Sequence, residues 1–156
     1  MARRTSAPRN AEIDRFYVAL TTLLRNFQFR DRERQTVCGI TVNQCYALDV
    51  IAREQRLTVS AIGERLALNK SNASRIVDSL EALQLATRAT DDTNHRLRWI
   101  TVTPAGRRLH GRIMRELKRD YARILARFDR RFIHEVTGLL HVIAERARQS
   151  PRIRCQ

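Results

Sequence analysis

The sequence predicts a mainly α-helical protein with one small β-hairpin. Apolar residues recur at three-and-four spacing along most of the chain, which is the period of helices that bury one face. Alternation replaces that period at one place, where "LATRAT" and "LRWITV" flank the polar segment "DDTNHR". The chain has 156 residues, 43% of them hydrophobic, which is enough for one globular domain or two small lobes with a core.

The first helix is predicted over about residues 11–30, and the charged segment "RDRERQ" is predicted to end it. Its apolar stripe consists of Ile13, Phe16, Tyr17, Leu20, Leu23, Leu24 and Phe27.

The second helix is predicted to begin after Thr41. In "TVNQ" the Thr41 side chain can cap the backbone N–H of Gln44, and the Gln44 side chain can reach back, which is a capping box. The inward face of this helix is predicted to hold Cys45, Leu48, Ile51 and Ala52. A short helix follows, with Thr58 as its cap and with Ile62 and Leu66 facing inward.

The turn "LNKS" separates that short helix from the next one, which Asn69 caps and which runs to about Leu83. Its inward face is predicted to hold Ala73, Ile76, Val77, Leu80 and Leu83. Two helices joined by a few residues form a helix-turn-helix. The hairpin that follows is then a wing.

The last two helices are predicted after Thr103 and at about residues 129–148. Thr103 is a cap, and Pro104 occupies the first helical position, where its missing N–H costs nothing. The stripe that continues from it is Leu109, Ile113, Leu117, Tyr121, Ile124 and Phe128, and that of the last helix is Ile133, Val136, Leu140 and Ile143. Residues 41–103 are therefore predicted to form a winged helix-turn-helix lobe, and residues 1–40 and 104–156 a helical dimerisation region shared with a second copy.

The outward face of the helix after Asn69 is unusual, because short polar side chains and one arginine replace the common mixture of Glu and Lys. The outward residues are Ser71, Ser74, Arg75 and Asp78, with Asn72 at the edge. A helix in the DNA major groove favours this chemistry, since Arg75 can bridge a guanine and Asn72 an adenine edge. Ser71 and Ser74 can contact bases or phosphates, and Lys70 adds charge near the helix N-terminus. The alternative is that each of these residues is simply solvated.

The hairpin tip suggests a second DNA contact. Arg96, beside His95, is placed to enter the minor groove, and Asp91 or Asp92 can brace it by a charge-assisted bond. The alternative is an ordinary solvated loop.

The charge balance favours a polyanionic partner. Lys and Arg number 30 against 16 Asp and Glu, a net charge of +14.

We expect a cytoplasmic protein without membrane contact, because the basic start lacks an apolar signal core and no apolar run approaches the roughly 20 residues of a membrane span. Nucleophile elbow, phosphate loop and paired zinc histidines are absent from the sequence, so we expect no enzyme; a Cys-His hydrolase using Cys38 is the rival.

The chain resembles the MarR family of winged helix-turn-helix transcriptional regulators in "TVNQCYALDVIA", "LTVSAIGERLALNKSNASRIVDSLEALQLATR", "DDTNHR" and "ITVTPAGRRL". The resemblance implies a homodimer with intertwined terminal helices that binds a roughly palindromic operator on double-stranded DNA, usually as a repressor. By position, Ser71, Asn72, Ser74 and Arg75 match recognition-helix residues, and Arg96 matches the wing arginine. The alternative function is a non-specific nucleoid or RNA-binding protein.

Two positions depart from the family pattern. The family commonly has an acidic residue and then an arginine immediately before the wing arginine, where this chain has Asn94 and His95. The family also commonly has Gly after the recognition helix, where this chain has Gln84. A left-handed backbone at Gln84 would cost on the order of 1 kcal/mol.

The family places effector sites between the dimer layer and the DNA lobes, where Cys38 and Cys45 fall, and Cys155 in the tail could reach the partner. No cofactor is expected, but three thiolates suit a thiophilic metal, and Cys38 near Arg30, Arg32 and Arg34 suits a thiol that senses oxidants. The alternatives are a core role for Cys45 and no role for Cys155.

A small aromatic ligand against Tyr17, Tyr46 and Trp99 is a further candidate effector. His110, His134 and His141 are interpreted as surface or core residues.

Overall fold

A computed structural model describes residues 9–90 and 97–149 of the chain, and for residues 28–38 it describes the backbone alone. Within those ranges the fold has six helices and a small antiparallel sheet, as predicted. The elements are α1 (Asn10–Cys38), α2 (Val42–Glu54), β1 (Arg56–Leu57), α3 (Val59–Arg65), α4 (Lys70–Ala82), β2 (Ala86–Thr90), β3 (Arg98–Val102), α5 (Pro104–Leu125) and α6 (Arg130–Gln149).

The four predicted caps are confirmed. Thr41 and Gln44 form both bonds of the capping box, at 2.6 and 3.3 Å. The side chains of Thr58, Asn69 and Thr103 each accept a backbone N–H three residues on, at 3.2, 2.8 and 3.0 Å. These bonds satisfy N–H groups that the first turn of a helix cannot pair internally, so they set where each helix begins.

The core of the lobe lies among α2, α3, α4 and β3. Its largest fully buried side chains are Leu48, Ile51, Ile62, Val77, Leu80 and Ile100. The predicted inward faces of these helices therefore meet one another, although several of their predicted residues are not fully buried. Cys45, Ala52 and Leu66 are half-buried. Ile76 is only half-buried, and Leu83, which follows the last helical residue, is 46% exposed.

The sheet has the strand order β1-β3-β2, so the hairpin carries a third strand that the sequence analysis missed. The hairpin pairs Ala86 with Val102 at one end and Thr90 with Arg98 at the other. Strand β1 adds two residues to the other side of β3. Two residues are too few to show a period of two, which is why the pattern did not reveal this strand.

Helix α1 continues to Cys38, so the prediction that "RDRERQ" ends it was wrong. Arg, Glu and Gln are good helix formers, and a charged segment does not by itself stop a helix. The first residue that suits termination is Gly39, whose φ of 70° is left-handed.

The C-terminal helices divide at residues 126–129. Phe128, predicted to continue the stripe of α5, lies beyond its end and stacks on Phe132 with ring centroids 4.9 Å apart. The Asp129 carboxylate accepts the backbone N–H of Phe132 at 2.7 Å at the start of α6. The chain forms two compact units, one ending at Arg112 and one beginning at Ile113. No helix in the described part of the chain is long and apolar enough to span a bilayer.

Gln84 has a φ of 56°, so the position where the family commonly has Gly is left-handed. Its backbone N–H donates to the carbonyl of Glu81 at 2.8 Å, and its own carbonyl accepts the Thr103 hydroxyl at 2.7 Å. These two bonds stabilise the turn between α4 and β2 in a left-handed conformation that is unfavourable for a residue with a Cβ.

Candidate nucleic-acid interface

The connection between α3 and α4 is a tight helix-turn-helix. Gly63 of α3 is buried, and a Cβ built there would lie 3.1 Å from the Leu68 carbonyl oxygen and 3.4 Å from the Ala73 Cβ. The carbonyl of Gly63 accepts the backbone N–H of Leu68 at 2.8 Å. The backbone of α3 at Gly63 is therefore closely packed against the turn and the start of α4. This close packing limits movement of the turn relative to α3.

The DNA-contacting side chains predicted on α4 lie together in its first six residues. Lys70, Ser71, Asn72 and Arg75 are exposed, and Ser74 is half-buried. The opposite side of the helix is anchored in the core by buried apolar residues. Recognition helices contact base edges mainly through their N-terminal residues, so the position within the helix also fits.

Asp78 lies farther along α4 and is not available as a free acceptor. Its carboxylate pairs with the guanidinium of Arg88 on β2 at 2.6 Å. The same guanidinium pairs with Glu81 at 2.6 Å. Asp78 lies on the outward face, as its helical spacing predicts, whereas its partner Arg88 was not among the predicted site residues. The available signal was that Arg88 shares a strand face with Ala86, which is buried.

The wing is described at its two strands, whereas Asp91, Asp92, His95 and Arg96 fall outside the described residues. The minor-groove contact and its acidic brace therefore stay predictions. On the described part of the wing, Arg98 is exposed and Trp99 is half-buried. The guanidinium of Arg56 lies 4.8 Å from the centre of the Trp99 ring, a cation–π contact between β1 and β3.

Comparison with known proteins identifies this arrangement. The sequence model of the MarR family matches residues 39–97, which include α2, the helix-turn-helix and β2, the first strand of the wing. The structure of a MarR family protein from Bacillus stearothermophilus is 26% identical, with a TM-score of 0.80 over 90% of this chain and 99% of that chain. Residues 39–97 match the MarR family, and the chain has the fold of a MarR family protein.

Two further MarR-like structures have the same fold at lower identity. A Staphylococcus aureus MarR in complex with salicylate and kanamycin is 19% identical, with a TM-score of 0.81 over 91% of this chain and 96% of that one. Streptococcus pneumoniae FabT in complex with DNA is 18% identical, with a TM-score of 0.76 over 88% of this chain and 98% of that one. A search among curated protein sequences gave no match. MarR family proteins are transcription regulators and not enzymes, so the family confirms the prediction that this chain is not an enzyme.

The three cysteines predicted as a MarR effector site are only partly described. Cys45 is half-buried on α2. Cys38 is the last residue of α1, in the stretch without described side chains, and Cys155 lies outside the described residues. Among the described side chains, no three His, Cys, Asp or Glu residues are grouped to hold a metal ion.

The other candidate effector residues are spread over separate elements. Tyr17 on α1 is 65% exposed and Tyr46 on α2 is 49% exposed. A shallow cavity of about 590 Å³ lies at the sheet, and none of Tyr17, Tyr46 and Trp99 lines it. Its walls are Glu54, Gln55, Arg56, Thr87, Thr101, Val102, Thr103, Pro104 and Arg107.

The histidines fit the interpretation given to them from the sequence. His110 on α5 is half-buried, with its Nε2 2.9 Å from the Asp49 carboxylate on α2. Arg53 pairs with the same carboxylate at 3.0 Å. His134 and His141 are exposed on α6.

Proposed function

We propose that the protein is a homodimeric repressor that binds a palindromic operator through α4 and the wing. Its fold and family are those of MarR transcription regulators. The observation that carries the finer proposal is the N-terminal half of α4, where exposed Lys70, Ser71, Asn72 and Arg75 stand on a helix fixed to the core behind them. Arg75 and Asn72 have the donor and acceptor geometry for guanine and adenine edges.

Each side chain has a distinct part in this proposal. Arg75 reads a guanine with two N–H groups, and Asn72 reads an adenine. Lys70, Ser71 and Ser74 hold phosphates near the helix N-terminus, where backbone N–H groups and the helix dipole already favour anions. His95 and Arg96 contact the minor groove from the wing, with Asp91 or Asp92 as the brace. The related FabT was solved in complex with DNA, which supports the choice of ligand.

The homodimer is supported by apolar side chains that the single chain leaves in water. On α1, Phe16, Tyr17 and Val18 are 50% to 65% exposed. On α6, Leu139 and Val142 are each 58% exposed, and none of its residues is buried. Helices with this many exposed large apolar side chains are rare on the surfaces of monomers, and a second copy of the chain offers the complementary apolar surface. The proposed dimerisation region is residues 1–40 and 104–156, and the DNA lobe is residues 41–103.

A two-fold dimer requires a symmetric operator. Two recognition helices about one turn of DNA apart, roughly 34 Å, require an inverted repeat with half-sites at that spacing. Symmetry also doubles the phosphate contacts, so affinity should fall steeply with salt.

Release of the operator by an effector is the second part of the proposal. A small aromatic ligand is supported by the S. aureus MarR relative, which was solved with salicylate. A thiol oxidant or a thiophilic metal acting at Cys38, Cys45 and Cys155 is the other candidate, and no cofactor is required for binding. Cys45, half-buried on α2, is the described residue through which this second route can be tested.

A non-specific nucleoid or RNA-binding role is the competing function, because a net charge of +14 attracts any nucleic acid. Such a protein does not need base-reading side chains on one helix.

The test is binding of the purified protein to the DNA flanking its own gene and to random DNA of equal length, at several salt concentrations. We expect protection of two half-sites one turn apart and at least about 1,000-fold preference for that DNA. Equal affinity for all sequences would support the nucleoid role instead. Repeating the assay with salicylate, peroxide, arsenite or mercury separates the effector classes, and Cys45→Ser tests the thiol route.

A further inference from the structure

Arg88 on β2 joins the wing to the helix that we propose reads DNA. Its Nη2 lies 2.6 Å from Asp78 and its Nη1 lies 2.6 Å from Glu81, so each end of the guanidinium holds a separate carboxylate. Asp78 and Glu81 are three residues apart on α4 and therefore face the same side of the helix. The Arg88 side chain is 26% exposed, as is that of Glu81, which limits screening by water.

The position of β2 explains why such a tie matters. In the order β1-β3-β2, strand β2 is at the edge of the sheet, so its backbone pairs with β3 on one side only. On the side of α4, Ala86 is buried and Arg88 is held by the two carboxylates. The strand that leads to the wing tip is thus fastened to α4 by side chains.

The same contact changes the charge that α4 presents. Asp78 lies three residues after Arg75, and its side chain is 55% exposed. A bare carboxylate at this place would repel DNA phosphates. Arg88 offsets part of this repulsion, although its one positive charge is shared between the two carboxylates.

We propose that Arg88 is a positioning residue for DNA binding, which fixes the wing to α4 so that both contact DNA as one unit. This inference rests on the proposed function, because it assumes that α4 and the wing touch the same DNA. The proposal and simple electrostatics predict opposite changes in operator affinity when the two carboxylates are removed. Removing the carboxylates of Asp78 and Glu81 raises the positive charge but should weaken binding, because the wing is released.

The experiment compares three variants with the wild-type protein. Asp78→Asn/Glu81→Gln removes both partners of Arg88. Arg88→Lys keeps the charge, but one ammonium group cannot hold two carboxylates as the guanidinium fork does. Asp14→Asn/Glu64→Gln is the control, because it makes the same charge change at exposed positions on α1 and α3.

Two quantities are measured for each variant. One is affinity for the operator, and the other is amide hydrogen exchange of Ala86–Thr90 in the protein without DNA. We expect both the carboxylate variant and Arg88→Lys to bind the operator about threefold to tenfold more weakly and to exchange faster in β2. The control should keep wild-type exchange and should bind as tightly as the wild type or more tightly.

Several outcomes would overturn the proposal. Unchanged or tighter operator binding by the carboxylate variant would mean that the tie does not position the wing for DNA. Weaker operator binding by Arg88→Lys with unchanged exchange in β2 would mean that Arg88 acts by touching DNA itself and not by holding β2. If the wild-type protein bound no sequence preferentially, the proposed function would fail, whereas the exchange comparison would still report whether Arg88 fastens β2.

Discussion

Replacement of Gln84 by glycine should stabilise the protein. Gln84 has a φ of 56°, which places its Cβ close to a backbone carbonyl at a cost of about 1–2 kcal/mol relative to the ordinary conformation. Glycine removes that cost but gives up about 0.5–1 kcal/mol, because its unfolded chain is freer. The two ranges together give a gain of about 0 to 1.5 kcal/mol in the free energy of unfolding, centred on about 0.75 kcal/mol.

The assay is urea unfolding at one fixed protein concentration, since the stability of a dimer depends on concentration. The backbone bonds of Gln84 to Glu81 and Thr103 do not involve its side chain, so Gln84→Gly should keep both of them. Gln84→Ala is the matched control, because it removes the polar side chain but keeps the Cβ, and it should not stabilise. If the glycine variant unfolded at the same urea concentration as wild type or earlier, the assignment of strain to this position would be refuted.

Three further substitutions test other parts of the account. Gly106→Ala should destabilise by about 3 kcal/mol or more in urea unfolding, since a Cβ would lie 2.0 Å from the Leu85 carbonyl oxygen; Gly138→Ala, which meets nothing within 4 Å, should be neutral or stabilising, and similar effects at both sites would contradict the packing described. Asn69→Ala should cost about 1 kcal/mol by loss of the α4 cap, and an unchanged unfolding midpoint would show that the bond to the N–H three residues on contributes nothing. Leu139→Glu should shift the protein towards monomer in sedimentation at micromolar concentration, and a persistent dimer would exclude this part of α6 from the interface.

The parts of the fold that short-range chemistry determines could be predicted from the sequence. Four helices begin just after a residue whose side chain accepts a backbone N–H three positions on, and both groups are close in sequence. These residues are Thr41, Thr58, Asn69 and Thr103. The polar face of α4 was visible for the same reason, since its core anchors recur at helical spacing.

The parts that depend on contacts distant in sequence could not be predicted. Strand β1 exists only because β3 lies beside it, and its two residues carry no pattern of their own. Asp78 is an outward residue, as predicted, but its ion pair with Arg88, ten residues later, exists only because the fold brings β2 against α4. The end of α1 was misjudged because charge was taken as a stop signal where only Gly39 supplies one.

The most direct test of the central claim is the affinity of Arg75→Ala for the operator and for random DNA, beside Arg130→Ala as a control with the same change in charge. Arg75 is exposed near the start of α4, whereas Arg130 is exposed at the start of α6. We expect Arg75→Ala to lose about 1–3 kcal/mol on the operator and little on random DNA, and Arg130→Ala to change neither appreciably. Equal losses by Arg75→Ala on both DNAs would contradict sequence reading by α4.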